Sequence, residues 1–214
     1  MTVDATHIVY VHGLWMNGAE SLFLRRRLAK DLGARVHAFS YPSVTSTMSD
    51  ITARLQAFVQ ALAPTSLHII AHSLGGLVVY RFLERYPDQA PGRIVFLGSP
   101  VVSSHAAVSV GRMNWALTPL GRCVAEELLT HRSRRWTARQ ELGVIAGTRA
   151  IGLGRLFVKF NEPSDGTVAV RETRLPGLTD SLSLPVTHTG LVWSARVARE
   201  AGAFLRTGKF GPRT

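Results

Sequence analysis

The chain carries one cysteine, Cys123, so no internal disulfide can form. It lies in a helix-like stretch, GRCVAEELL, where a thiol reads as a buried structural group rather than a nucleophile. Acidic residues are few: 14 Asp and Glu stand against 25 Lys and Arg, a net charge of +11. Arginines cluster at Arg25-Arg26-Arg27 and at Arg132, Arg134 and Arg135. Such a balance suits either a solvated basic surface or peripheral contact with anionic lipid. No zinc-finger, basic-zipper or RNA-binding aromatic motif accompanies it, so nucleic acid is not an expected partner. No apolar run approaches the roughly 18–20 residues of a membrane span. The opening MTVDATHIVYVHG lacks a basic n-region and a cleavage pattern, so no secretory signal is expected and a cytoplasmic location is. Internal repeats, low-complexity tracts and metal-ligand clusters are missing as well. Gly152-Leu153-Gly154 lacks a third glycine and a strand leading into it, so it makes no nucleotide loop.

What is present is apolar and periodic. Of 214 residues 46% are hydrophobic, enough for one domain over 1–214 with a sizeable core. Short β-branched runs predict strands at 7–11, 34–39, 67–71, 93–97, 142–146 and 181–186. Between them, apolar spacing predicts helices over 18–32, 50–62, 74–86, 105–131 and 190–205. In the clearest one, Ile51, Leu55, Phe58, Val59 and Leu62 fall on one helical face, with Ser49 as the expected N-cap. Strand–helix alternation with strands apolar throughout predicts an α/β fold: a mostly parallel sheet of about six strands covered on both faces.

The third strand runs into LHIIAHSLGG, residues 67–76, and stops at a serine. Ala71 and Gly75 flank Ser73 at minus two and plus two. Small residues there allow a strand to turn sharply into a helix, with the serine at the tip in a strained conformation. The helix that follows points free N–H groups at the site. A serine hydroxyl is a weak nucleophile unless a base lies within hydrogen-bond reach and a third group orients that base.

AHSLG resembles the G-x-S-x-G nucleophile elbow of the α/β-hydrolase superfamily, with Ala71 in place of the first glycine. The resemblance extends over nearly the whole chain and is closest to small serine esterases and lipases. The superfamily's two leading antiparallel strands have no counterpart, which implies a minimal version of the fold. The order of the superfamily, nucleophile then acid then base, implies Ser73, Asp165 and His188 as the catalytic set. Asp165 stands in NEPSDGTV after the fifth strand, and His188 in LPVTHTG just before the last helix. Asp180 and Glu162 are the alternatives for the acid. The resemblance also implies an oxyanion hole from the backbone N–H of Leu74, next to the nucleophile, and of Leu14, after the His12-Gly13 pair. Gly13, Trp15, Met16 and His72 are the substrate-binding candidates.

The activity implied is hydrolysis of a small-molecule ester or a lipid through an acyl-enzyme, with no cofactor and no metal. A thioesterase or lipid deacylase is the second reading, and a non-catalytic binding protein on the same fold is the third. Residues 101–140, with Val101, Met113, Trp115 and Leu117, are read as a small lid or as a helix packed on the sheet. Oligomeric state has no sequence signal.

Overall fold

Six short strands send their side chains alternately into two hydrophobic clusters, one on each side of a single parallel sheet. The computed structural model describes residues 6–64, 66–89, 92–102, 121–123, 127, 134–151 and 162–212. The strands are β1 (His7–Val11), β2 (Arg35–Phe39), β3 (Leu67–His72), β4 (Ile94–Leu97), β5 (Leu142–Gly147) and β6 (Asp180–Leu184). Val9, Val11, Ile69, Ala71, Phe96 and Val144 enter one cluster; Ile8, Tyr10, Ile70, Val95 and Ile145 enter the other. With both faces dry, the inner strands read as unbroken apolar runs. The edge strands RVHAF and DSLSL are more polar because each lacks a neighbour on one side.

The helices that lie whole within the described residues are α1 (Leu22–Leu32), α2 (Met48–Leu62), α3 (Leu74–Arg85), α4 (Gly190–Trp193) and α5 (Ala195–Thr207). α2 and α3 seal the first face with Ile51, Leu55, Val59, Leu77, Val78 and Phe82. α1, α4 and α5 seal the second with Leu24, Leu28, Leu191, Val197, Ala201 and Phe204. Burying such a side chain contributes roughly 1.5–3 kcal/mol, so these faces are what hold the layers together.

Three boundaries depart from the sequence expectation. α2 starts earlier, because Met48 is buried and the helix extends to enclose it. Its N-cap is therefore Thr47, whose side chain accepts from the Asp50 N–H at 3.1 Å, and not Ser49. α1 is preceded by a 3-10 turn at Ala19–Ser21. The closing helix is broken at Ser194, whose extended backbone ends α4 and whose hydroxyl accepts from Val197 N–H to cap α5. The expected helix at 105–131, the lid and Gly152-Leu153-Gly154 fall largely or wholly outside the described residues.

Arg134 is also not a solvated arginine. It is buried with Nη2 at 2.6 Å from Glu127 Oε2, while Glu127 Oε1 accepts from Arg81 Nε at 2.8 Å. A buried guanidinium is tolerable only with such a partner.

The strand order is β2-β1-β3-β4-β5-β6, with every neighbouring pair parallel. The chain leaves β1 toward β2 on one side and leaves β3 toward β4 on the other. A crevice therefore opens between the carboxyl ends of β1 and β3, where open α/β sheets present their sites. His12 to Leu14 follow β1, and Ser73 follows β3.

Candidate active site

β3 ends at His72 and α3 begins at Leu74, so Ser73 makes the turn by itself. Its backbone sits at φ 54°, ψ −124°. A non-glycine residue there costs about 1–3 kcal/mol, and the surroundings must impose it. The Ser73 N–H donates to the Leu97 carbonyl at 2.9 Å, and the Ser73 carbonyl accepts from Gly76 N–H at 3.0 Å. The bend presses α3 onto the end of β1. A Cβ on Gly75 would overlap the Val11 carbonyl oxygen and lie 2.7 Å from that of His12. A Cβ on Gly13 would lie 3.0 Å from Ser73 Cβ. Gly75 is set by the approach of the β1 backbone and Gly13 by the approach of Ser73 and His72, which is why the pattern around the serine is so small.

Asp165 and His188 meet directly. Asp165 is buried, and its Oδ1 accepts from Thr167 N–H at 2.9 Å and Val168 N–H at 2.7 Å. Its Oδ2 lies 2.7 Å from His188 Nδ1, and its carbonyl accepts from His188 N–H at 3.0 Å. A carboxylate facing Nδ1 selects the Nδ1–H tautomer and leaves the Nε2 lone pair available. Room for the pair comes from two strand-end glycines. A Cβ on Gly147 would lie 2.7 Å from Asp165 Cβ. A Cβ on Gly98, which sits at φ 56°, would lie 3.0 Å from Asp165 Oδ2 and 3.3 Å from His188 Nδ1. Gly98 follows Leu97, the residue whose carbonyl holds Ser73. The serine and the Asp–His pair thus lie on either side of one short segment. Among the described residues no hydrogen bond joins Ser73 Oγ to His188, and such bonds are often long until substrate packs against them.

His72 stands next to Ser73 in the chain but faces inward. It is fully buried, and its Nε2–H donates to the His188 carbonyl at 3.1 Å, with the two rings 4.7 Å apart. Its contribution in this structure is to hold the His188 loop. Burial, with the neighbouring His188 ring, pushes its pKa down to about 3. The unfolded chain, with an ordinary histidine near 6.5, then binds a proton that the native state refuses between about pH 6.5 and 3. Stability from this group is complete above that window and falls on acidification by roughly 1.4 kcal/mol per pH unit. Urea unfolding at pH 7 and pH 5 should differ by about 2 kcal/mol on this account, and His72→Gln should shrink the difference. An unchanged difference in that variant removes His72 as its source.

His12 has a related task. Tyr41 N–H donates to His12 Nε2 at 3.1 Å, so the proton sits on Nδ1 and is donated to the Gly13 carbonyl at 2.8 Å. The ring stacks on Tyr41 at 4.1 Å, and Tyr41 OH donates to the His12 carbonyl at 2.8 Å. Burial lowers the His12 pKa, keeping the ring neutral in this arrangement. In a trans peptide the C=O and N–H point oppositely. Holding the Gly13 oxygen toward His12 therefore turns the Leu14 N–H away from it. Neither Leu14 N–H nor Leu74 N–H has an acceptor among the described residues.

Trp15 is 65% exposed at φ 58°, with its N–H donating to Ser43 Oγ at 3.0 Å, and Met16 beside it is partly buried. Asp180 begins β6, at the opposite end of that strand from His188, and accepts from Phe210 N–H at 3.0 Å. Glu162 pairs with Arg171 at 3.1 Å. Cys123 is buried with its Sγ 3.0 Å from the Ser43 carbonyl. Among the described residues no group of three or more His, Cys, Asp or Glu is placed to hold a metal ion. The parts that sequence reasoning missed are His12 with Tyr41, the inward role of His72, and Gly98. The small residues of LGSP after β4 were the available signal for the last.

A family model described as "Alpha/beta hydrolase family" matches residues 8–205. No curated protein matches in sequence. Among solved structures, the mature lipase BlEst2 of Bacillus licheniformis superposes with a TM-score of 0.73 at 18% identity, over 96% of this chain and 92% of that one. The metagenomic carboxyl esterase MGS0156 gives 0.64 at 20% identity, over 88% of this chain and 66% of that one. Phospholipase PlaB of Legionella pneumophila gives 0.57 at 19% identity, over 79% of this chain and 46% of its own. At these identities the likeness is one of fold.

Proposed function

Because the chain belongs to the alpha/beta hydrolase family, we propose that it is a serine hydrolase of carboxylic esters, built as a single domain over residues 1–214. The observation that carries this reading is the 2.7 Å Asp165–His188 contact beside a serine held at positive φ. In the proposed reaction, His188 Nε2 takes the Ser73 proton as Oγ attacks the ester carbonyl carbon. Asp165 holds the imidazole in the right tautomer and favours its charged form while the proton resides there. The N–H groups of Leu14 and Leu74 receive the negative oxygen, each worth about 2.7–4 kcal/mol of barrier. His188 then passes the proton to the departing alkoxide, leaving Ser73 acylated. Water repeats the sequence in reverse and frees the acid. No step calls for a cofactor.

Gly13, Trp15 and Met16 line the approach to Ser73 in this reading, and His72 supports it from behind. The names of the structural neighbours, a lipase and a carboxyl esterase, favour oxygen esters over thioesters. A fluorophosphonate probe should label the protein, with the added mass on the peptide holding Ser73. p-Nitrophenyl butyrate should be hydrolysed, and labelling should abolish that turnover. Absence of both labelling and turnover would return the chain to the binding-protein reading.

A further inference from the structure

The large exposed apolar side chains of the described residues are Trp15, Leu22, Phe23, Ile151 and Trp193. Each follows the carboxyl end of a strand: β1 for the first three, β5 for Ile151 and β6 for Trp193. In a parallel sheet those ends lie on one edge, the edge that carries Ser73. Scattered exposed apolar residues need no explanation, but their confinement to one edge does. Leu22, Phe23 and Trp193 are 44%, 40% and 64% exposed, and α4, which carries Trp193, packs against the Ala19–Ser21 turn and α1.

A basic layer stands directly behind this corner. α1 carries Arg25, Arg26, Arg27 and Lys30 against Asp31, and α5 carries Arg196, Arg199 and Arg206 against Glu200. The two helices lie side by side. Both start at the Ser73 edge, so Arg25 to Arg27 and Arg196 sit within two turns of the apolar tip. Arg27 lies over the Phe23 ring at 4.7 Å, joining the two chemistries.

We propose that this corner docks on an anionic phospholipid bilayer, with Leu22, Phe23 and Trp193 entering the interface and the α1 and α5 arginines meeting the headgroups. An apolar tip backed by a basic collar is the pattern of an interfacial surface. Tryptophan suits the headgroup boundary, with an apolar body and one polar N–H. A second copy of this chain is disfavoured as occupant, since it would bring +11 against +11. Nucleic acid would use the arginines but leave the apolar tip in water. No described helix is long and apolar enough to cross a membrane, so the contact is peripheral. Docking in this orientation turns the Ser73 edge toward the lipid. The surface stands on its own residues, while its service to catalysis rests on the ester-hydrolase reading.

The test is co-sedimentation of the Ser73→Ala protein with phosphatidylcholine vesicles, with and without phosphatidylserine, so that binding is read without turnover. Binding is expected only with the anionic lipid, weakened by salt. Arg26→Ala and Arg27→Ala should each lower the partition coefficient about fivefold. The combined change Leu22→Ser, Phe23→Ser and Trp193→Ser should lower it further. On the Ser73 background, that triple variant should turn over a water-soluble ester at the wild-type rate, which also shows that it folds. Binding equal on neutral vesicles, binding unchanged by either set of variants, or retention on heparin in place of vesicles would overturn the proposal. So would concentration-dependent self-association that the triple variant abolishes without any vesicle binding. If soluble-ester turnover is absent but the vesicle results hold, the hydrolase reading fails and the docking surface stands.

Discussion

Ser73→Ala is expected to lower ester turnover by about a million-fold, the loss seen when a serine nucleophile is removed from such a machine. The change removes one oxygen and keeps Cβ, so the contact across to Gly13 and the hydrogen bond from Ser73 N–H to Leu97 are untouched. The strained backbone is no worse for alanine than for serine. Stability should therefore stay within about 0.5 kcal/mol, as for changes that leave packing intact. A residual rate above that in water would reflect the Leu14 and Leu74 amides. The comparison requires single-turnover kinetics and a thermal melt on the same preparation. A tenfold loss or less would remove Ser73 from the chemistry, whatever the melt shows.

Asp165→Asn is expected to cost about ten-thousand-fold in kcat with the fold preserved. The geometry explains why the isosteric change is so damaging here. Oδ1 accepts two backbone N–H bonds, from Thr167 and Val168, so the amide oxygen of asparagine must take that place. Its NH2 group must then face His188 Nδ1. A donor facing Nδ1 forces the imidazole proton onto Nε2, where it meets Ser73 and blocks proton removal. A matched Asp180→Asn variant should leave the rate within a few-fold, because that carboxylate bonds Phe210 and Ser181 N–H at the far end of β6. If Asp180→Asn caused the larger loss, the acid would have been misassigned. A nitrogen-bound proton signal of the His188 ring, moved in Asp165→Asn and unmoved in Asp180→Asn, would report the tautomer directly.

The two carboxylates also show where sequence reasoning reaches its limit. In the sequence both read as residues of turn-rich loops near a late strand, and residue type alone does not separate them. What separates them is that Asp180 starts β6, whereas Asp165 packs against the end of β5 and meets His188 beyond the other end of β6. That depends on β6 running parallel to β5, a pairing between residues about forty apart. His72 is a similar case. Its place beside Ser73 suggests a substrate contact, yet the bend after β3 buries the ring and aims it at the His188 carbonyl, 116 residues away. Gly98 and Gly147 look like ordinary strand-end glycines until the Asp165–His188 pair is brought against them. By contrast, the strands, the face of α2 and the strand-to-helix turn at Ser73 are local patterns, and they emerged within a residue or two of their observed bounds.

The linear chain alone determined the alternation of strands and helices, the doubly covered sheet and the serine at a sharp turn. Each of these rests on side-chain periodicity or on steric demands within a few neighbouring residues. Only the tertiary structure decided the strand order, the partner of His188, the inward turn of His72 and the gathering of exposed apolar residues on one edge. Those depend on hydrogen bonds and packing between segments far apart in sequence, whose geometry no local pattern encodes.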